Sequence, residues 1–280
     1  PKEKFIMVAP GKSNFSDKLS RNILEDVKMK VESFQNLTGR TQSLKIFMVG
    51  KNPSSEIYVN RKIQACEYTG IKSNLIKIDS DFYNPGDYLA FSIERSNKAD
   101  DVDAIIVQLN LPKGINQDSI LDIIDPIKDV DVLTSENLGL LAKGQSRFES
   151  CTPRGIIALL KNHEIKIANS FIVIVNSSNI VGKPLFHMLS LRGATVVMCH
   201  DKTPKDLLHE LTKKADIIIS ATGIENFIKK DMVNENSTII DVGIIRKDDK
   251  VVGDVDYDNL KDFVKAITPV PGGVGPMTVA

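Results

Sequence analysis

Four near-continuous apolar runs in the second half of the chain, FIVIV at 171–175, TVVMC at 195–199, DIIIS at 216–220 and TIIDVGI at 238–244, restrict the fold more than any other feature. Their lack of polar alternation predicts strands buried on both faces. The stretches between them have room for helices, the clearest being the apolar segment from Gly182 to Leu191. Such strands, separated by helices, imply a parallel sheet covered on both sides.

A related alternation runs through the first half. LKIFMVG at 44–50 ends on glycine, and Ile57 to Gly70 then places apolar side chains at helical intervals before another glycine, so strand is followed by helix. Runs at 73–78 and 104–109, with the 86–99 segment between them, extend this into a first α/β unit. The character changes over 133–152, where Leu138-Gly139-Leu140-Leu141 leads into a polar stretch and then Cys151-Thr152-Pro153. Thr152 reads as a helix cap with Pro153 at the first helical position, which sets the domain junction near 145–152. The chain of 280 residues is therefore expected to fold as two α/β domains.

The charge balance narrows the function. Lys plus Arg equals Asp plus Glu at 36 each, so no global field gathers nucleic acid, and an anionic small substrate needs a local site. No run of roughly 18 apolar residues suggests a membrane span, and the stretch through Lys30 contains acidic residues and lacks a signal-peptide core. Cys66, Cys151 and Cys199 have neither paired spacing nor an even count, which points to a reducing cytoplasm.

In the second unit, Asn176-Ser177-Ser178-Asn179-Ile180-Val181-Gly182-Lys183-Pro184 follows a strand and enters a helix, with small residues where phosphate oxygens can approach backbone donors. The GxGxxG spacing is absent, and an ordinary strand-to-helix turn fits the same residues. The next strand ends at Cys199-His200-Asp201. A carboxylate there can accept from ribose hydroxyls and repel a 2'-phosphate, while a plain helix cap is the simpler reading. Ala221-Thr222-Gly223 and Val242-Gly243-Ile244 place small residues at the ends of two further strands, where a cofactor can approach closely.

On the other side, Tyr58 and Lys62 stand four apart on one helix face, Gln108 ends a strand, and Asp131 follows DPIKDV. Seven segments in order, YVNRK at 58–62, VQLNLP at 107–112, KDVD at 128–131, CTPRG at 151–155, NIVGKPL at 179–185, CHDKT at 199–203 and ITPVPGGVGPMTVA at 267–280, make the sequence similar to the methylenetetrahydrofolate dehydrogenase and methenyltetrahydrofolate cyclohydrolase family.

The resemblance implies an amino-terminal α/β substrate domain (1–148), a Rossmann-like cofactor domain (149–268), and a cleft-spanning loop that begins a returning helix (269–280). It also implies that Asp131 binds the pterin, that Tyr58 packs on the folate, and that Lys62 and Gln108 surround the one-carbon centre. The Pro271-Gly272-Gly273 loop is expected to close on folate and cofactor, and the chain to form a homodimer through the cofactor domains. A further helix is expected beyond Ala280.

The implied chemistry is oxidation of 5,10-methylenetetrahydrofolate by a nicotinamide cofactor, then hydrolysis of 5,10-methenyltetrahydrofolate to 10-formyltetrahydrofolate, without a metal. A methenyl cation disfavours a protonated Lys62, which would let this residue exchange a proton in the hydrolysis, with Gln108 orienting it or the water. A monofunctional NAD-dependent dehydrogenase and a catalytically inactive folate- or nucleotide-binding protein are the alternatives.

Several departures from the family pattern bear on this. Asn176-Ser177-Ser178 stands where the family usually has Gly-Arg-Ser, and Asp201 where members that use NADP have serine. Loss of a cation and gain of an anion favour NAD over NADP, although Lys202 offers a local positive charge. Val132 replaces a common glycine and Asn110 a common proline. His200 has no adjacent base or second metal-ligand motif, and Cys199 reads as a small buried hydrophobe.

Overall fold

The computed structural model describes residues 5–6, 15–247 and 250–280, so the amino-terminal stretch read above lies partly outside the described residues. The elements in chain order are β1 (Phe5–Ile6), α1 (Phe15–Thr38), β2 (Ser43–Val49), α2 (Pro53–Thr69), β3 (Lys72–Ile78), α3 (Pro85–Asn97), β4 (Ala104–Val107), α4 (Gln117–Leu121) and α5 (Ser135–Ala142). They continue with α6 (Cys151–Asn162), β5 (Phe171–Val175), α7 (Gly182–Ser190), β6 (Thr195–Cys199), α8 (Lys205–Lys214), β7 (Ile217–Ser220), β8 (Thr238–Asp241), β9 (Ile245–Lys247), β10 (Lys250–Val252), α9 (Tyr257–Leu260), β11 (Ala266–Ile267) and α10 (Val274–Val279).

The chain forms two compact units, one built on residues 21–149 and the other on 150–278. The first contains a parallel three-stranded sheet in the order β3-β2-β4. Its central strand alternates faces, as a pleated strand must. Phe47 and Val49 join Leu89 and Ile93 of α3 in one cluster, while Ile46 and Met48 join Val59 of α2 in another. Both faces are thus covered by helices, and the apolar run at 44–50 follows from that burial.

The second unit carries the parallel order β11-β8-β7-β5-β6, with β1 added beside β11 through Phe5↔Ala266 and Ile6↔Ile267. All four apolar runs fall in its sheet: two coincide with β5 and β6, the third begins one residue before β7, and the fourth starts with β8 and runs three residues past its end. Strand order reverses between β5 and β7, because the chain goes from β5 out to β6 and returns across β5 to β7. Open parallel sheets bind ligands outside the carboxyl ends of strands at such a reversal. β9 and β10 form a separate antiparallel pair.

The cap of α6 differs from the sequence expectation. Ser150 is its N-cap, and Thr152 lies one residue inside the helix, where its hydroxyl pairs with that of Thr278 at 3.2 Å. Pro153 still falls in the first turn, where a missing N–H costs nothing. Among the described residues no helix is long and apolar enough to cross a membrane.

Candidate active site

In the first unit, α2 turns a buried stripe of Ser55, Val59, Cys66 and Thr69 toward the sheet, and this leaves Tyr58 and Lys62 half-buried at its border. Lys62 and Gln108 are brought together: Lys62 Nζ donates to Gln108 Oε1 at 3.3 Å. Gln108 sits just past β4, with its N–H on the carbonyl of Phe47 and its Nε2 on the carbonyl of Leu109 at 2.9 Å. That second bond fixes the amide so that its oxygen, not its nitrogen, faces the lysine. Burial raises the Tyr58 phenol above its ordinary value, opposed by the charge of Arg61. Burial likewise pushes the Cys66 thiol up to about 11, with Glu67 adding and Lys62 opposing, so this cysteine is no nucleophile.

Asp131 lies on a separate turn, and its neighbour Asp129 builds that turn. Asp129 is fully buried; its Oδ1 accepts from Leu133 N–H (3.0 Å), and its Oδ2 accepts from Thr134 N–H (2.9 Å), the Thr134 hydroxyl (2.8 Å) and Asn137 Nδ2 (3.0 Å). The backbone wraps tightly enough to force Val132 to φ 59. This is a left-handed conformation that a β-branched residue adopts only under constraint. The glycine expected there is absent, and a buried valine fills the space instead.

In the second unit, the loop after β5 is organised by Asn176. Its Oδ1 accepts from Ser178 N–H (2.9 Å), the Ser178 hydroxyl (2.7 Å) and Gly182 N–H (2.9 Å), while its Nδ2 donates to the carbonyl of Ala221 (2.7 Å). One amide therefore ties the ends of β5 and β7 across the strand reversal. Gly182 is obligatory here, since a Cβ would stand 2.2 Å from the carbonyl oxygen of Asn176. Ser178 Oγ also takes Val181 N–H at 3.1 Å, and the Ile180 carbonyl accepts from Ser150. Ser177 remains partly exposed beside them.

After β6 the turn holds itself: His200 Nδ1 accepts from Lys202 N–H at 3.1 Å, and His200 N–H donates to the Thr203 hydroxyl at 3.0 Å. Asp201 is 80% exposed and meets Lys202 Nζ at 3.1 Å. That hydrogen bond and charge hold its carboxyl below the usual carboxylate range. Cys199 is buried, and burial raises its thiol, as expected of a packing residue.

Two carboxylates beyond the sequence-predicted set organise the remaining loops. Asp254 Oδ2 accepts from the Ser220 hydroxyl (2.8 Å) and from Thr222 N–H, and its Oδ1 accepts from Gly223 N–H (2.9 Å). Asp241 Oδ1 accepts from Gly243 and Asp254 N–H groups, and its Oδ2 from Val255 N–H, all at 3.0 Å. Burial, with repulsion from Asp254, pushes Asp241 up to about 7 against the pull of those three donors. Asp241 N–H donates to the Thr268 hydroxyl at 2.8 Å, at the start of the loop carrying Pro271, Gly272 and Gly273. Val242 is half-buried, Ile244 is exposed, and Gly273 is buried where a Cβ would meet the Pro269 carbonyl at 2.6 Å. The near-repeat of Asp-Val-Gly at 241–243 and Gly-Asp-Val at 253–255 was the available signal for this pair.

These loops fit a dinucleotide. Gly223, at φ 71, has no heavy atom within 4 Å of where a Cβ would stand, leaving open space beside Thr222. The exposed Asp201 carboxylate matches a ribose diol. Among the described residues no group of three or more His, Cys, Asp and Glu is placed to hold a metal ion. A groove lined by Lys166, Asn169, Asp216, Glu235 and Lys265 opens at the opposite, amino ends of β5, β7 and β8 and contains none of the predicted residues.

Comparison with known proteins places both halves. Residues 16–131 match the tetrahydrofolate dehydrogenase/cyclohydrolase catalytic domain, and residues 150–280 match the NAD(P)-binding domain of the same enzymes. The chain is 45% identical over 274 residues to the bifunctional protein FolD of Aquifex aeolicus, covering 98% of this chain and 91% of that protein. It resembles the crystal structure of the bifunctional methylenetetrahydrofolate dehydrogenase/cyclohydrolase FolD from Campylobacter jejuni, with TM-score 0.88, 42% identity and coverage of 94% and 93% of the two chains. It also resembles the Trypanosoma brucei dehydrogenase-cyclohydrolase solved with NADP and an inhibitor, with TM-score 0.88, 28% identity and coverage of 94% and 91%.

Proposed function

The chain belongs to the tetrahydrofolate dehydrogenase/cyclohydrolase family, and from that premise we infer a bifunctional enzyme that oxidises 5,10-methylenetetrahydrofolate and hydrolyses the resulting 5,10-methenyltetrahydrofolate to 10-formyltetrahydrofolate. The observation that supports the second activity is the Lys62–Gln108 pair in the half that matches the catalytic domain.

A nicotinamide dinucleotide, when bound, supplies the hydride acceptor for the oxidation. The residues of this chain do the rest. Asn176, Ser178, Gly182, Thr222, Gly223 and Gly243 offer a backbone-lined surface for the dinucleotide, and Asp131 and Tyr58 hold the folate. In the hydrolysis, water forms a C–O bond at the methenyl carbon and loses one proton. The C–N5 bond then breaks as N5 takes up a proton. Lys62 in its amine form accepts the proton from water, because the adjacent methenyl cation disfavours an ammonium beside it. Gln108 Oε1 holds the lysine nitrogen in place while the Leu109 carbonyl holds Gln108.

The preferred cofactor is NAD. Ser177 offers no positive charge to a 2'-phosphate, and the Asp201 carboxylate repels one. The Lys202 contact does not cancel that repulsion, since both groups are about four-fifths exposed (82% and 80%) and such pairs are weak and screened. None of the three cysteines is in a disulfide, in keeping with a reducing cytoplasm, and assembly as a homodimer through the cofactor half completes the reading. Spectroscopic assay of dinucleotide reduction with methylenetetrahydrofolate, alongside decay of methenyltetrahydrofolate corrected for the uncatalysed rate, tests both activities. Reduction without catalysed decay would leave a monofunctional dehydrogenase.

A further inference from the structure

Asp254 and Asp241 are 0% and 3% exposed, and their donors are main-chain N–H groups and one hydroxyl, not cations. Burying a carboxylate without a counter-ion is costly, so a packing role alone is served better by apolar residues. The two are also interlocked. A Cβ on Gly243 would stand 2.0 Å from Asp254 Oδ1, and a Cβ on Gly253 would stand 2.0 Å from Asp241 Oδ2. Each carboxylate thus fills the side-chain space of a glycine next to the other. Asp254 takes its donors from the end of β7 and the residues just after it, and Asp241, at the end of β8, takes Gly243 and the N–H groups of Asp254 and Val255, so the two carboxylates tie the 253–255 segment to the ends of both strands.

We propose that Asp254, clamped by Asp241, is a positioning residue for the dinucleotide. Its carboxylate sets the direction of the Thr222 and Gly223 N–H groups and joins their loop to Gly243, so that the wall on which the dinucleotide rests is formed before binding. Preorganisation of this kind lowers the ordering cost of binding and places the ring for hydride transfer. The inference rests on the dinucleotide-dependent activity inferred above.

The distinguishing variants in the full chain are Asp254→Asn and Ser220→Ala. The asparagine keeps the shape but turns an NH2 group toward one of the loop N–H donors, whereas the alanine removes only a hydroxyl that supports the carboxylate. NADH affinity is read by fluorescence titration, loop order by amide exchange at Thr222 and Gly223 in cofactor-free protein, and methenyltetrahydrofolate hydrolysis serves as the control in the other unit. Asp254→Asn should weaken NADH binding about tenfold and Ser220→Ala about threefold, the loss expected for a charge-assisted and a lesser hydrogen bond. Exchange at 222 and 223 should quicken in both, with hydrolysis within about twofold of wild type. If Asp254→Asn does not fold, Ser220→Ala decides. Unchanged NADH affinity, or parallel loss of affinity, hydrolysis and melting temperature in the variant that folds, would overturn the proposal. A wild-type protein that binds neither NADH nor NADPH would overturn the functional reading and this inference with it.

Discussion

The two halves of this enzyme solve opposite problems with the same α/β architecture. In the 21–149 unit the side chain proposed to exchange a proton in the hydrolysis, Lys62, is half-buried and held by one long hydrogen bond of 3.3 Å. In the 150–278 unit the decisive side chains are buried carboxylates and an amide with every oxygen engaged by backbone donors. On the proposed reading the first unit keeps its proton-transfer group loosely restrained, while the second uses its polar groups to fix backbone. Chemistry and geometry are therefore carried by different residues, and variants on one side should leave the other side's task intact.

The sharpest break in that comparison comes from Lys62→Met. Loss of general-base function costs a factor of about 100 or more, so catalysed methenyl-folate decay should fall to near the uncatalysed rate while some dinucleotide reduction persists. Equal hydrolysis by wild type and variant would remove Lys62 from the proton transfer.

A large effect on stability is expected from Asp241→Asn. The Asp241 carboxyl is raised in the folded protein to about 7, so its contribution is fully present below the unfolded carboxyl pKa of about 4 and is lost as pH rises through 7. Wild-type stability should fall relative to the variant by up to about 1.4 kcal/mol per pH unit between about pH 5 and 7, the slope for one proton. Asp254 is the charged group facing it. Urea unfolding at several pH values reads the difference; identical pH slopes would show that Asp241 ionises like an exposed carboxylate.

A smaller change concerns cofactor choice. Asp201→Ser with Ser177→Arg should shift the NADP-to-NAD ratio of kcat/KM by about tenfold toward NADP, because the arginine adds a cation for the 2'-phosphate and the serine removes a repelling carboxylate. A wild-type preference for NADP would refute the charge argument outright.

The smallest effect is predicted at Val132, where two terms oppose. Relief of a left-handed valine returns about 1–2 kcal/mol, while a buried valine side chain and glycine's extra freedom together cost about 2–4 kcal/mol. Val132→Gly should therefore be destabilising by about 1 kcal/mol in thermal unfolding; a stabilised variant would mean that strain outweighs packing.

Much of this was legible in advance because it rested on periodicity. The strands at 171–175 and 217–219 are apolar because both faces are covered, β6 at the sheet edge is apolar yet only half-buried, and the Tyr58 to Lys62 spacing follows from helical geometry. Residues whose work depends on contacts distant in sequence were not legible. Asp254 reaches Thr222 across 32 positions, and Asn176 reaches Ala221 across 45. Asn176 has no local pattern that separates it from an ordinary turn residue, and for Asp254 the near-repeat with 241–243 gives no indication of which loop it reaches. Thr152 shows the limit of capping rules: Ser150 and Thr152 both suit the cap, and the fold uses Ser150 while engaging Thr152 with Thr278. The pairing of Phe5–Ile6 with β11 was likewise invisible, because a two-residue strand has no periodicity.

The most direct test of divided labour is a paired measurement on wild type, Lys62→Met and Asp254→Asn: the dissociation constant for NADH and the catalysed rate of methenyltetrahydrofolate hydrolysis in the same preparations. The account predicts a crossed result, with Lys62→Met losing hydrolysis at unchanged NADH affinity and Asp254→Asn losing NADH affinity at unchanged hydrolysis. Parallel loss of both properties in each variant would contradict it.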